Sequence, residues 1–487
     1  MNIIINKSGS SIKIDELKQY NVYKKLLKNF TISYKTISGY IQKVQCYKRD
    51  TINGTIIFPR FGILKCIKNC KCNITIDLKQ NNILDVVWTG SYTSNQLVIK
   101  NYIMNNIYNT ENLNNGNCGL ILNLDAGQGK SFLAAGLIQD LKVKTLIICH
   151  NKSILNQWVD ILVKLYPTLK IGTYYGGKKI DGDIIVSIVN SLMMDKFILD
   201  DIEIEKTDFF NMFGYVILDE VHEYTGKKRK LIYNYIQSSY MLGLSATPDE
   251  NIFGLDKVNI WNCGNIIKAV DLDGYTQEII DFTAIVKKIE YKGHSDYTKL
   301  ILNDKLGVVS CPSMISQLCE DPYRIKVIVK YIYELIDKKQ FIFVFTDRRE
   351  YLNKIKIILE ENKINSHFLL NNKDAIVISN LMGGSKAEEI NDAKLNSNII
   401  LTTYQFMGTG VSIPKMDSII LATPRKSKSR QYVNRIFRLG SDVSIERIII
   451  DIVDVHTPMK SQYYERKKYY DEKKYKITKY KINWNFE

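Results

Sequence analysis

Leu124-Asp-Ala-Gly-Gln-Gly-Lys-Ser131 joins an apolar run, Gly119-Leu-Ile-Leu-Asn123, to a helix-like one, Phe132-Leu-Ala-Ala-Gly-Leu-Ile138. A strand, a glycine-rich turn and a helix in that order make a phosphate cradle, because the N–H groups of the turn and the positive end of the helix dipole face the anion. Ala126, Gly127, Gln128 and Gly129 would form the turn, Lys130 can reach the β- and γ-phosphates, and the Ser131 hydroxyl can ligate Mg²⁺. The strict pattern asks for Gly where Leu124 stands. A second constellation, Leu218-Asp-Glu-Val-His222, closes the apolar run Tyr215-Val-Ile-Leu218. Carboxylates at the carboxyl end of a buried strand lie in the crevice where open α/β sheets bind ligands. Asp219 could hold Mg²⁺ through water, and Glu220 could orient and deprotonate an attacking water. By itself such a pair reads as a solvated acidic turn; a phosphate loop upstream on another strand makes the chemical reading the stronger one. A third segment, Leu244-Ser-Ala-Thr-Pro248, again follows an apolar run. Its hydroxyls, Ser245 and Thr247, can hydrogen-bond the segment ending at His222 and report the state of the nucleotide.

The elements that must position these groups are legible as short apolar runs. Leu120–Leu124, Thr145–Cys149, Asp183–Ser187, Tyr215–Leu218 and Met241–Leu244 alternate with helical stretches, as buried parallel strands of a doubly wound sheet do. After a less regular segment from about 250 to 320 the pattern restarts with helical spacing over Tyr323–Lys338. Runs at Phe341–Phe345, Ala375–Ile378, Ile399–Thr402, Ser418–Leu421 and Arg447–Asp451 follow. The expected class is α/β, with two tandem doubly wound parallel-sheet lobes. Ahead of them, short β-leaning runs such as Thr51–Phe58 and Cys72–Asp77, broken by Pro59-Arg-Phe-Gly62, predict a small β-rich domain. The expected divisions are 1–89, 90–270, 271–458 and a basic tyrosine- and lysine-rich tail, 459–487.

Length alone excludes a single core: 487 residues imply several units. An apolar share of 45% without an 18-residue apolar run argues against a membrane span, and the opening Met1-Asn-Ile-Ile-Ile-Asn-Lys7 lacks the layout of a secretory signal. Nine scattered cysteines read as reduced thiols; Cys66, Cys70 and Cys72 form the single cluster and lack a fourth ligand for zinc. The net charge of +16 favours a polyanionic partner, nucleic acid before membrane. Heavy use of Asn, Ile, Lys and Tyr is also what an AT-rich genome produces, so basicity is supporting evidence only. Between Arg466 and Lys481 eight Lys or Arg stand against Asp471 and Glu472, interleaved with Tyr469, Tyr470, Tyr475 and Tyr480. That pattern fits a backbone-and-stacking clamp or a helix packing its tyrosines on the second lobe.

Together the three segments resemble motifs I, II and III of superfamily 2 helicases of the Asp-Glu-x-His class, whose lobes are RecA-like. Further pieces fall in the expected order: Ile148–Trp158 resembles motif Ia, Tyr174–Lys179 with Ile184–Leu192 motif Ib and its approach, Phe343–Arg348 motif IV, Leu401–Pro414 motif V, and Gln431–Arg438 motif VI. The resemblance spans about Thr93 to Asp454. Asn434 occupies the usual Gly of motif VI, and Ser412 a usually acidic position of motif V. The resemblance implies ATP and Mg²⁺, with Gly410 and a base-reading Gln96 at the nucleotide; a helix-start glutamine is the rival reading of Gln96. Gln431, Arg435 and Arg438 recur at spacings of four and three, which predicts one helical face. They would face the nucleotide from the second lobe, two of them as arginine fingers; a solvated basic helix is the alternative. Motif position makes Lys152, Gly176, Gly177, Ser191, Thr346, Gly383, Gly384 and Thr403 the candidates for nucleic-acid backbone contacts, without sequence reading.

Within the superfamily, Gly176-Gly-Lys-Lys179 is similar to a group of DNA-dependent motors that includes XPB-type helicases, phage branch-migration helicases and poxvirus-type transcript-release helicases of large cytoplasmic DNA viruses. Asp-Glu-Val-His, the length and Pro59-Arg-Phe61 in a small N-terminal domain look most like the last. The resemblance implies an ATP-driven DNA helicase or translocase in viral transcription, partnered by DNA and by viral polymerase or transcription factors. It also implies work in the host cytoplasm or viral factory, with packaging in the virion. The rivals are a genome-maintenance helicase for forks and junctions, an RNA helicase, and a structural subunit that keeps the fold without motor activity.

Overall fold

The computed structural model describes all residues except 7–8, 36–39, 68–71, 78–82, 126, 237, 250–252, 277–283, 304–306, 366–375, 408–412, 414, 426–431, 438–441, 443 and 485–487. The chain divides into two compact units, Met1–Glu278 and Ile279–Glu487.

The first unit opens with β1 (Asn2–Asn6), β2 (Gly9–Lys13), β3 (Thr31–Lys35), β4 (Ile41–Gln45), β5 (Lys48–Asp50), β6 (Thr55–Phe58) and β7 (Asn73–Asp77). Five of these form a sheet in the order β5-β6-β2-β1-β7, while β3 and β4 make a separate antiparallel ribbon. Ile3, Ile5, Ile12, Ile56 and Phe58 alternate along the strands and bury one face against Leu17, Leu26 and Phe30. This sheet has its own core yet belongs to the same unit as the lobe that follows. Arg60 is buried and donates to the Ser238 carbonyl at 2.8 Å. Phe61 fills the space over Gly119, where a Cβ would come within 2.1 Å of its ring.

The lobe contains β8 (Gly119–Asn123), β9 (Thr145–Cys149), β10 (Ile171–Tyr175), β11 (Lys178–Ile180), β12 (Ile184–Ile188), β13 (Phe197–Leu199), β14 (Ile202–Ile204), β15 (Tyr215–Leu218), β16 (Tyr240–Ser245) and β17 (Asn265–Lys268). Its sheet runs β11-β10-β12-β9-β15-β16-β8-β17, parallel throughout except for β11. Successive residues of one strand enter opposite cores: Leu120 and Leu122 pack with Ile147 and Ile217, whereas Ile121 packs with Leu146, Ile148 and Val216. Burial on both faces is why these strands read as unbroken apolar runs.

The second unit repeats the plan with β18 (Ala284–Lys292), β19 (Ile342–Thr346), β20 (Ile378–Leu381), β21 (Ile399–Thr403), β22 (Ser418–Leu421), β23 (Arg447–Asp454) and β24 (Lys476–Asn483). All seven are parallel, in the order β20-β21-β19-β22-β23-β18-β24. The α/β class with two doubly wound parallel sheets is therefore as expected, and three details differ. The division falls at 278/279 rather than 270/271. The segment expected to be irregular contributes β18, a long inner strand hidden in the sequence by Lys287 and Lys288; Lys288 is buried, with its ammonium 4.4 Å from the Tyr463 ring centre. The C-terminal 29 residues are no separate tail: Lys460–Glu472 is a helix and β24 completes the sheet edge.

Candidate functional site

The carboxyl ends of β8, β15 and β16, three adjacent strands, carry the three segments singled out above. Gly127 (φ 88°) and Gly129 (φ 76°) adopt left-handed backbone, which glycine enters without steric cost, and so turn the chain sharply into the helix Lys130–Leu141. A Cβ on Gly129 would lie 2.4 Å from Gln96 Nε2, the tip of a side chain that can move aside, so it is the left-handed backbone that calls for glycine here. Leu124, at the position where glycine was expected, is buried in the lobe core, and its carbonyl accepts from Lys130 Nζ at 2.7 Å. Ala126 lies outside the described residues. Ser131 is the second residue of the helix, beside Lys130 at its amino end.

Asp219 is buried and held from two sides. Trp158 Nε1 donates to one carboxylate oxygen at 2.7 Å, and the Glu220 N–H donates to the other at 2.9 Å. Burial pushes its carboxyl up to about 6 and the neighbouring Glu220 charge adds to this, while the Trp158 bond and the Lys130 charge oppose it. Lys130 and Asp219 thus sense one another across the strand ends. Glu220 has left-handed backbone (φ 49°, ψ 57°), unusual without glycine, and opens the 3₁₀ turn Val221–Thr225. Asn259, fully buried, donates to the Val221 carbonyl and accepts from Tyr233, fixing that turn. His222 Nδ1 lies 2.9 Å from Ser245 Oγ and 3.4 Å from Glu220 Oε2, and Ser245 Oγ also accepts from the Thr247 N–H at 3.0 Å. The hydroxyl linkage between the two segments is present in the geometry.

Gln96 stands at a helix start, as its rival reading had it. It closes a capping box with Thr93 at the start of the helix Ser94–Asn106, and its amide nitrogen abuts Gly129. The Tyr275 hydroxyl donates to Gln128 Oε1, tying the turn to the far end of the unit. Sequence reading missed Trp158, Asn259 and Tyr275. Trp158 sits on the buried face of a helix and looks like core; nothing in its spacing marks the indole N–H.

The backbone-contact candidates of the first unit share the same edge. Lys152 begins the helix after β9, with its ammonium 5.6 Å from the Tyr175 ring centre, and Gly176 and Gly177 form the open turn from β10 to β11. Ser191 begins the 3₁₀ turn after β12.

In the second unit the pattern is similar. Thr346 ends β19 and Thr403 ends β21; their hydroxyls accept from the N–H groups of Arg348 and Phe406 and start the following helices. Gly383 and Gly384 (φ 108°) follow β20. Asp347 and Arg425, neither expected from sequence, form a 2.8 Å ion pair at this edge. Arg435 is buried in the 3₁₀ turn Asn434–Ile436. Helical backbone around Arg435 stops at Ile436, and Phe437 (φ −115°, ψ 73°) stacks on Tyr475 at 5.5 Å. Gln431, Arg438 and Gly410 lie outside the described residues.

A family model described as the res subunit of type III restriction enzymes matches residues 95–250. A protein of African swine fever virus, named as an ATP-dependent RNA helicase, is 34% identical over 378 residues, covering 74% of this chain and 69% of its own length. A mimivirus protein bearing the same description is 26% identical over 411 residues, 82% of this chain and 72% of its own. The transcript termination protein of fowlpox virus is 23% identical over 335 residues, 65% of this chain and 66% of its own. The chain belongs to the superfamily 2 helicases, in the family these proteins of large DNA viruses share. It is an ATP-dependent enzyme of nucleic acids.

Proposed function

We propose that the chain is a DNA-directed helicase or translocase that uses ATP to release nascent transcripts during viral transcription. One observation carries the motor chemistry: Lys130, the buried Asp219, Glu220 and the His222–Ser245 pair stand together at the ends of three adjacent strands. Ser131 and Asp219 fit Mg²⁺, since both offer hard oxygens at the strand ends, Ser131 next to Lys130 and Asp219 near enough to feel the Lys130 charge. Bound there, the ion would neutralise charge on the β- and γ-phosphate oxygens. Lys130 leaves the Leu124 carbonyl to hold those phosphates, Glu220 takes the proton of the attacking water, and the His222–Ser245 link passes the nucleotide state to the segment after β16.

Lys130→Ala is expected to abolish hydrolysis, and Glu220→Gln to bind ATP while turning over at a rate near background. Turnover like the wild type in either purified variant sinks the assignment.

The transcript-release role is supported by the name of the fowlpox relative, the setting in large DNA viruses by all three relatives. Work in the host cytoplasm beside viral polymerase is part of the same proposal. Adding the protein and ATP to stalled elongation complexes should free RNA; complexes that stay intact, with forked DNA stimulating ATPase far above linear DNA, favour a genome-maintenance motor instead. A second reading, an RNA-directed motor, has the names of two relatives behind it. ATPase measured in parallel with single-stranded, duplex and forked DNA and with RNA separates these.

A further inference from the structure

Between Glu16 and Asp50 stand 33 residues with eight Lys or Arg and no carboxylate. Residues 1–89 hold fifteen Lys and Arg against five Asp and Glu, a balance of +10 out of the chain's +16. A genome-wide bias towards lysine codons would spread charge evenly, but the remaining 398 residues share only +6. All eight cations of the acid-free stretch are exposed, and among the described residues only Lys18 has a carboxylate within ion-pair distance, Asp15 at 3.8 Å. A solvated face normally mixes both signs; one sign over so long a stretch repels itself and favours a polyanion.

The backbone gives this charge a shape. Lys24 and Lys28 lie one turn apart on the helix Tyr23–Asn29, which leads directly into the β3–β4 ribbon. The register pairs Ser33 with Lys43 and Lys35 with Ile41, so these four share one face of the ribbon. The opposite face carries Ile32 and Val44, packed against the core of the helicase lobe, and Tyr34, whose ring centre is 4.8 Å from that of Phe253 just beyond Pro248. Lys230, in the 3₁₀ turn after the Asp-Glu-Val-His segment, donates to the Gln45 carbonyl at 2.7 Å. Tyr20, Tyr40 and Ile41 are exposed along the basic stretch, with Ile41 at 72% and Tyr40 at 65%. Cations on the outer face with aromatic rings between them are what phosphates and stacked bases require. The inner face rests on segments that follow Glu220 and Ser245.

We propose that the Tyr23–Asn29 helix and the outer face of the β3–β4 ribbon form a second phosphate-backbone site, which grips nucleic acid outside the helicase motifs and is braced on the segments after Glu220 and Ser245. The proposal rests on the family's nucleic-acid dependence, not on the assignment of Lys130 or Glu220, and its test reads binding rather than turnover.

The test uses the full chain and fluorescence anisotropy with duplex DNA, single-stranded DNA and RNA across a salt series. The variants are K24E/K28E and K35E/K43E, with K142E/K164E on the helicase lobe as a charge-matched control. Each lost phosphate contact removes about 0.9 from the magnitude of the slope of log affinity against log salt on duplex DNA, so either double reversal should remove about 1.8. The nucleic acid on which that loss is greatest is the form the site holds. ATPase at saturating nucleic acid should stay within about twofold of wild type, since neither pair touches the Lys130 cradle. K35A/K43A gives the same readout should charge reversal disturb folding. Unchanged slopes in both reversals overturn the site; so does an equal loss in the control, which would make the effect one of net charge.

Discussion

The two ends of this chain have similar compositions and opposite uses. Both interleave lysine with tyrosine, and by composition either could clamp nucleic acid. At the carboxyl end three basic residues of the helix Lys460–Glu472 have acidic partners, and one of them is paired inward. Arg466 forms a bidentate bond with Asp451, both all but fully buried, and donates to the Arg425 carbonyl at 2.6 Å. Tyr463, Tyr469 and Tyr470 are buried, Tyr470 donating to Asp451, and the Tyr469 hydroxyl donates to Asn434. Lys467 and Lys468 meet Asp471 and Glu465 within one turn. At the amino end no acid lies within six residues of Lys24, Lys28, Lys35 or Lys43, and the strand register puts the last two on the outer face. What separates the two is not how many cations there are but where the nearest carboxylates fall. Acids within a turn, and tyrosines at helical spacing, mark a packed element; their absence marks a free one.

The contrast breaks most sharply at Arg466. Arg466→Met leaves Asp451 buried without its partner, and removing one member of a buried pair costs about 3–5 kcal/mol. Urea unfolding of the second unit should show a loss of that size, and Asp451→Asn in the same chain should return part of it. Truncation after Pro458 should be worse, since it also strips β18 of its β24 neighbour, and soluble protein is not expected. A loss below about 1 kcal/mol for Arg466→Met would mean that water reaches Asp451, and would favour the clamp reading of the carboxyl end over the packed one.

The parallel strands and the phosphate cradle were legible because they obey local rules: unbroken apolar runs between helices, and glycines where the backbone turns left-handed. Ser245 and His222 were legible as partners because both segments end adjacent strands, so a hydroxyl and an imidazole at those ends must meet. β18 was not, because Lys287 and Lys288 interrupt its apolar pattern; they are tolerated through Glu334, Glu290 and the Tyr463 ring, all distant or unremarkable in sequence. Trp158 and Asn259 escaped for a related reason: each is placed by packing and acts through side-chain hydrogen bonds, and packing partners cannot be read from spacing. The helical face expected for Gln431, Arg435 and Arg438 falls largely outside the described residues; Phe437, where helical backbone ends, stacks on Tyr475, in the segment whose tyrosines were expected either to clamp nucleic acid or to pack on the second lobe.

The smallest expected effect is the one that sharpens the comparison. Lys476 and Lys479 are exposed on β24, the last strand of its sheet, and charged side chains on an open edge discourage pairing with another chain. On that account Lys476→Glu combined with Lys479→Glu keeps the edge charged and touches no phosphate. The salt slope for duplex DNA should then move by less than half of one contact, about 0.4, against about 1.8 for K35E/K43E. A drop equal to that of the amino-terminal reversal would put both ends on the nucleic acid. That outcome would extend the rule drawn from neighbouring carboxylates to β24, where Glu290 is the acid near Lys479 and Lys481, and would end the account of those lysines as edge guards alone.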